Sequence, residues 1–196
     1  MASRTKYIPL TAAIAGILAT MGCAGSSTPY QPLSAGSRVS GGYSDLRIDE
    51  THYRVTFTGN RLTSREQVES YLLFRAAELT LLKGYDYFII QDREVEHQIE
   101  RQVRRDPFYD PWYAPYHTYW RPYWRYYRSG HGWYAWYPYY GDPFWADRYN
   151  VRTIDRYEAS ADIILGKGDR PNGIVRSFDA REVSARLRPQ IKYPSD

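Results

Sequence analysis

Between positions 107 and 149 the chain contains no leucine, isoleucine, valine or methionine, yet it holds all six tryptophans, twelve of the 21 tyrosines, two phenylalanines and six prolines. Aliphatic side chains fill ordinary cores because they pack in well-defined rotamers and bring no polar atom with them. A stretch without any argues against an ordinary core. Prolines 107, 111, 115 and 122 recur too often for a helix or a central strand, since each removes a backbone donor. Residues 106–149 therefore read as an insertion at the tip of a β-hairpin, irregular or disordered, with polyproline-like pieces.

Three roles suit such a segment. Tyr and Trp favour the headgroup depth of a bilayer, where a flat amphipathic ring suits both phases. Aromatic faces also stack on the apolar faces of sugar rings. Tyr, Trp and Arg dominate protein-binding hot spots. The candidate interaction surface is Trp112, Trp120, Arg121, Trp124, Arg125, Arg128, Trp133 and Trp136. Low-complexity filler is the bland alternative.

The flanking sequence predicts a folded domain made of residues 43–105 and 150–192. Tyr53, Val55 and Phe57 alternate with Arg54, Thr56 and Thr58, the pattern of a half-buried strand, and Gly59-Asn60 reads as the turn after it. Thr63-Ser64-Arg65-Glu66 has the form of a capping box with Thr63 as the cap. The helix it opens runs to Lys83, where Gly84 stops it. Tyr85 to Ile90 reads as a central strand, extended beyond Phe88 through Val95, Ile99 and Val103. Its partner is the alternating run Tyr157, Ala159, Ala161, Ile163 and Leu165. Asp179-Ala180-Arg181-Glu182 is a second capping box, opening a short helix halted at Pro189. The order strand, helix, strand, insertion, strand, helix gives a small α+β domain with its helices on one face of a mostly antiparallel sheet.

The N-terminus carries an address. Arg4 and Lys6 precede an uncharged apolar stretch from Tyr7 to Met21, shorter than the roughly 20 residues a membrane-spanning helix needs and typical of a secretory signal. It ends in Gly22-Cys23, and Cys23 is the single cysteine. The segment resembles a bacterial lipoprotein signal, although Thr20 stands where leucine is usual. That resemblance implies cleavage after residue 22 and acylation of Cys23. Several acyl chains, at ~0.8 kcal/mol per buried methylene, hold a protein on a membrane far better than one. Ala24 is not the aspartate associated with inner-membrane retention, so the expected location is the outer membrane, facing the periplasm. Residues 23–42, rich in Gly, Ser and Pro, read as a flexible tether. Removing the signal takes Arg4 and Lys6 with it, so the formal net charge of +4 falls by two. An exported, weakly basic chain gives no reason to invoke nucleic acid.

Chemistry-bearing positions are sparse. On the long helix Val68, Leu72, Leu79 and Leu82 share a face, and Arg75 falls in its middle. A buried guanidinium needs an acidic partner; Glu78 is adjacent on the helix, with Asp86 and Asp45 as other candidates. A structural ion pair of Arg75 with Glu78 is the favoured reading, and a hydrolytic cleft of Arg75, Glu78 and Asp86 the other. Leu73, Phe74 and Leu81 make the opposite face apolar too, so the helix is either covered on both sides or meets a partner. His52, His97, His117 and His131 lack metal-ligand spacing. There is no Gly-x-Ser-x-Gly elbow, and Gly166-Lys167-Gly168-Asp169 lacks phosphate-loop spacing. No catalytic residue, cofactor or metal is expected.

Taken together, Tyr30-Gln31-Pro32, Gly42-Tyr43-Ser44, Tyr53 through Asn60, Arg75 through Thr80 and Gly84 through Phe88 resemble a family of uncharacterised proteobacterial lipoproteins. The likeness spans residues 23–91 well and 155–192 loosely, and leaves out the aromatic insertion. It implies a lipid-anchored envelope protein and brings no established activity. The expectation is a binding or structural component of the periplasm whose partners are the membrane, through its anchor, and an envelope protein or peptidoglycan.

Overall fold

A computed structural model describes residues 25–91, 116, 119–140 and 154–195. Among them are seven strands, β1 (Gly42–Arg47), β2 (His52–Asn60), β3 (Tyr87–Gln91), β4 (Tyr123–Arg128), β5 (Gly132–Trp136), β6 (Ile154–Gly166) and β7 (Ser177–Asp179), and two helices, α1 (Arg65–Leu82) and α2 (Ala180–Leu187). Every pairing between the strands is antiparallel. The expected α+β class holds.

The long strand β6 organises the sheet. One of its edges pairs with β2 from Arg156 to Ile164. Its other edge is shared end to end: β4 pairs with the first half, Ile154 to Ser160, and β3 with the second, Asp162 to Gly166. Beyond these lie β1 on β2, β5 on β4 and β7 on β3. The alternation in β2 and β6 decides which face is covered. Tyr53, Val55, Phe57, Tyr157, Ala159, Ala161, Ile163 and Leu165 all point to the helices and are buried, as a one-sided antiparallel sheet requires.

Helix α1 is capped by Ser64, whose hydroxyl accepts from the Gln67 amide at 3.1 Å. The cap thus falls one residue after the expected Thr63. Thr63 is otherwise engaged: it is buried, its hydroxyl accepts from the Thr28 amide and donates to Asn60 Oδ1. Gly59 and Asn60 continue β2, opposite Tyr157 and Arg156, and the turn falls on the residues after them. The far end of α1 is as expected, with Lys83 as C-cap and Gly84 at φ 78°. Asp179 caps α2 by accepting from the Glu182 amide at 2.8 Å. Beyond Gln91, the expected extension of the strand through Val95, Ile99 and Val103 lies outside the described residues.

Helix α1 is covered on both sides. Val68, Leu72 and Leu79 are buried with Leu73 and Phe74, while Leu82, the last helical residue, is 69 % exposed. The second side is covered by α2 and by the segment read as a tether. Tyr30 is buried, its ring 5.1 Å from Phe74 and 5.8 Å from Tyr71. Its amide donates to Lys192 O, and Pro32 bridges Tyr43. Residues 25–42 are therefore docked, contrary to the expected free tether. Gly42 makes this possible: at φ 136°, a Cβ there would lie 2.4 Å from Gln31 O. What reads in sequence as a flexible Gly-Gly is a close approach of two backbones.

The aromatic insertion is corrected as well. Residues 123–136 form the hairpin β4–β5, and Trp120, Trp124, Tyr126 and Trp136 are buried in the same core as Phe88 and Phe178. Pro122 immediately precedes β4, where its missing amide costs no ladder bond.

Candidate functional site

Three of the eight residues expected to form an interaction surface are instead structural. The Trp120 indole donates to Glu69 O at 3.0 Å and Trp124 to Glu69 Oε1 at 3.2 Å. Tyr139 donates to the same Oε1 at 2.7 Å, and Arg65 ion-pairs with it at 2.9 Å. Trp136 packs against Trp124 at 5.2 Å. Glu69, with its side chain 1 % exposed, is thus the polar anchor of the hairpin, and burial next to this carboxylate pushes the Tyr139 hydroxyl well above its ordinary pKa. Sequence reasoning passed over Glu69, although a carboxylate one residue from Val68 and three from Leu72 carries the same signal as Arg75. Trp112 lies outside the described residues. Arg121 and Arg128 are half-buried at either end of β4.

The other two, Arg125 and Trp133, come together on the sheet face away from the helices. Cross-strand register sets this face. Arg125 lies opposite Glu158 and forms an ion pair with it. Tyr127 lies opposite Trp133, ring centroids 5.4 Å apart. The Arg125 guanidinium stands 4.2 Å from the Trp133 ring centre, and that of Arg156 stands 5.0 Å from Tyr127 and 5.9 Å from Trp133. On the neighbouring strand Arg54 holds Asp162 through two hydrogen bonds, 2.6 and 2.9 Å, which keeps the guanidinium firmly protonated. Trp133 is 37 % exposed, and the Arg125 side chain is 42 % exposed. The arrangement is an aromatic platform flanked by two guanidiniums, with the Arg125–Glu158 pair beside it and the Arg54–Asp162 pair four residues further along β6. Such a face offers apolar contact and cation–π attraction together with directed hydrogen bonding.

Arg75 is engaged on the other side of the molecule. Its Nε donates to Asp45 Oδ1 at 3.0 Å and its Nη1 to Glu78 Oε2 at 2.5 Å. Glu78 Oε2 also accepts from the Tyr30 hydroxyl at 2.5 Å, and the Tyr43 ring lies 4.1 Å from the guanidinium. Burial opposes the charge on Arg75, but the bonds to Asp45 and Glu78 outweigh it and keep the group firmly protonated. Burial, reinforced by Glu78, raises the Tyr30 pKa far above its ordinary value. The expected pair is real and larger than expected: it clasps the N-terminal segment to α1 and β1.

Asp86 does not join it. Its carboxylate accepts from the Gly168 amide at 2.8 Å and from Arg181 at 2.9 Å, and these two bonds hold its pKa below the ordinary carboxylate range. Arg75, Glu78 and Asp86 therefore do not form one cleft. A depressed carboxylate contributes stability that is complete above the unfolded pKa of ~3.9 and is lost as pH falls through the folded value. Asp86→Asn is expected to lower stability at pH 7 and to leave it level with wild type at a pH well below the ordinary carboxylate range. Urea unfolding at both pH values checks this.

A concavity of about 440 Å³ lies between Tyr116 and Tyr119 on one side and residues 170–175 on the other. Its polar groups serve the fold: Ser177 donates to Ile174 O, Asp179 caps α2, and Glu182 accepts from Tyr116. The Tyr116 hydroxyl is pushed up to about 12, by burial first and by Glu182 second. Among the described residues no group of three His, Cys, Asp or Glu could hold a metal ion, and no helix is long and apolar enough to cross a membrane.

The chain matches no family model, and searches of curated proteins and of solved structures return no match. The functional argument therefore rests on the site itself.

Proposed function

We propose that this protein is a lipid-anchored component of the bacterial envelope that works by binding, with cell-wall glycan as the ligand of its aromatic sheet face. The anchor reading rests on Cys23 and the apolar run before it. The ligand reading rests on one observation: Trp133 lies open to solvent between the guanidiniums of Arg125 and Arg156, with Tyr127 beside it. A sugar ring has an apolar C–H face that stacks on an indole and a hydroxyl rim that bonds to guanidinium and carboxylate groups. Glycan of the cell wall also carries carboxylates, which arginine pairs with geometrically.

Two measurements test it. Metabolic labelling with palmitate should mark the wild type and not Cys23→Ala; an unlabelled wild type contradicts the anchor. Purified peptidoglycan should retain the wild type and release Trp133→Ala and Tyr127→Ala, and equal retention of all three contradicts the ligand. Point substitutions are needed because deleting the whole aromatic insertion would remove Trp120, Trp124 and Trp136 from the core.

A further inference from the structure

Hydrogen bonds tie residues 26–28 to the turn after β2. Ser26 O accepts from Asn60 Nδ2 at 2.8 Å, Thr28 Oγ1 accepts from the Asn60 amide at 2.9 Å, and the Thr28 amide donates to Thr63 Oγ1 at 2.9 Å. Thr28 O accepts from Gln67 Nε2 at 2.9 Å. These four bonds pin the chain to the turn between β2 and α1. Cys23 is three residues before Ser26, and three extended residues reach at most ~11 Å. An acyl group on Cys23 therefore starts within that distance of the β2–α1 turn.

The sheet register shows what else lies at this end. Asn60 of β2 and Tyr127 of β4 both pair with Arg156 of β6, so the turns that follow β2 and β4 are neighbours. The loop 33–41 joins them, because Gly42 pairs with Thr58 and the Val39 and Ser40 carbonyls accept from Gln31 and Thr28. Residues 33–41, 60–64 and 128–132 contain Arg38, Arg61 and Arg128 and no Asp or Glu, while the start of β6 at the same end brings Asp155. Arg38 and Arg61 are exposed, Leu62, in the pinned turn, is 51 % exposed, and Arg156 lies beside them on the outer sheet face over Tyr127. The opposite end is mixed in charge: Arg47, Asp49 and Glu50 lie at the β1–β2 turn, and Lys167, Asp169 and Arg170 follow β6.

We infer that this arginine-bearing end of the sheet seats on the headgroup layer of an anionic bilayer, with Leu62 at the apolar boundary and the strands upright. The inference rests on the acylation of Cys23 proposed above. Charge complementarity with lipid phosphates and the short reach of the anchor act together, since one acyl-type signal plus a basic patch anchors better than either alone. An upright sheet turns the Trp133 face sideways, with its lower edge at the 128–132 turn beside the headgroups. Its distal end, at Gly166, stands ~33 Å from Arg156, at ~3.3 Å per residue.

The test uses the full-length acylated protein in vesicles containing anionic lipid and a headgroup-attached nitroxide quencher. Acylation occupies Cys23, so a fluorophore can be placed at Leu62→Cys, His131→Cys or Lys167→Cys, with intact mass reporting the acyl groups. The expected result is loss of most fluorescence at 62 and 131 and none at 167, with quenching at 131 reduced by Arg61→Glu. Equal quenching at all three positions in acylated protein overturns the seat and leaves the anchor standing. Absence of acyl mass with no vesicle retention overturns the anchor and the seat together.

Discussion

Replacing Trp124 with alanine is expected to cost about 3–5 kcal/mol of stability, the range for a fully buried large aromatic. Trp124 has no exposed surface. Its ring stacks on Tyr157 at 5.8 Å and meets Trp136 edge-on at 5.2 Å. Its indole nitrogen also serves Glu69, so truncation opens a cavity and removes one donor from a buried carboxylate. A loss of this size is a large part of the total stability of a small domain. Trp133→Ala, in the same hairpin but on the outer face, is expected to change stability by about 1 kcal/mol or less. Guanidinium unfolding of the two variants side by side checks the contrast. Equal losses would mean that the hairpin does not divide into a core side and an open side.

Arg75→Ala is the second large effect, with an expected loss of about 3 kcal/mol, the lower end of the range for breaking a buried ion pair. The lower end applies because water reaches the cluster, the Glu78 side chain being 26 % exposed. Removal leaves Asp45 and Glu78 without their shared cation and weakens the hold of Glu78 on Tyr30. Arg75→Lys is expected to recover only part of the loss, since one ammonium cannot reproduce the forked contacts to two carboxylates. The second consequence is local: amide exchange in residues 28–32 should quicken, because the Tyr30 hydroxyl loses its organised acceptor. Hydrogen exchange read on those residues separates a clasp from a general loss of stability.

Much of the domain was legible because each of its signals is local and agrees with its neighbours. Alternation marked Tyr53, Val55 and Phe57, and separately the run from Tyr157 to Leu165, as strand faces, although their pairing with each other in β2 and β6 was not foreseen, and an Asp with a Glu three residues on marked the start of α2. Arg75 was legible as an anomaly on an apolar face. Glu78 and Asp45 were both among its named candidate partners; that the two bind it at once, with Tyr30 on Glu78, was not legible, because Asp45 sits 30 residues away on β1 and only the sheet brings it near.

The two largest departures share a cause. Composition describes what a segment carries and not which side of a strand each residue takes. In β4 and β5 a run of Trp, Tyr and Arg alternates as regularly as any aliphatic strand. Trp124 and Tyr126 turn inward, and Arg125 and Tyr127 outward. The helices leave room for large rings there because β6 contributes the small Ala159 and Ala161 to the covered face. The Gly-Ser-Pro segment likewise reads as a tether until Thr28, Tyr30 and Gln31 are seen to be buried. Its glycines permit contact rather than freedom.

The central claim is that one aromatic segment supplies both a core and a binding face. Calorimetric titration of soluble peptidoglycan glycan strands into wild type and Trp133→Ala tests it most directly. Truncating a hot-spot aromatic costs about 2 kcal/mol, so a roughly thirtyfold weaker Kd is expected for the variant, with its unfolding midpoint close to that of the wild type. An unchanged Kd, or a wild type that takes up no glycan at all, contradicts the account.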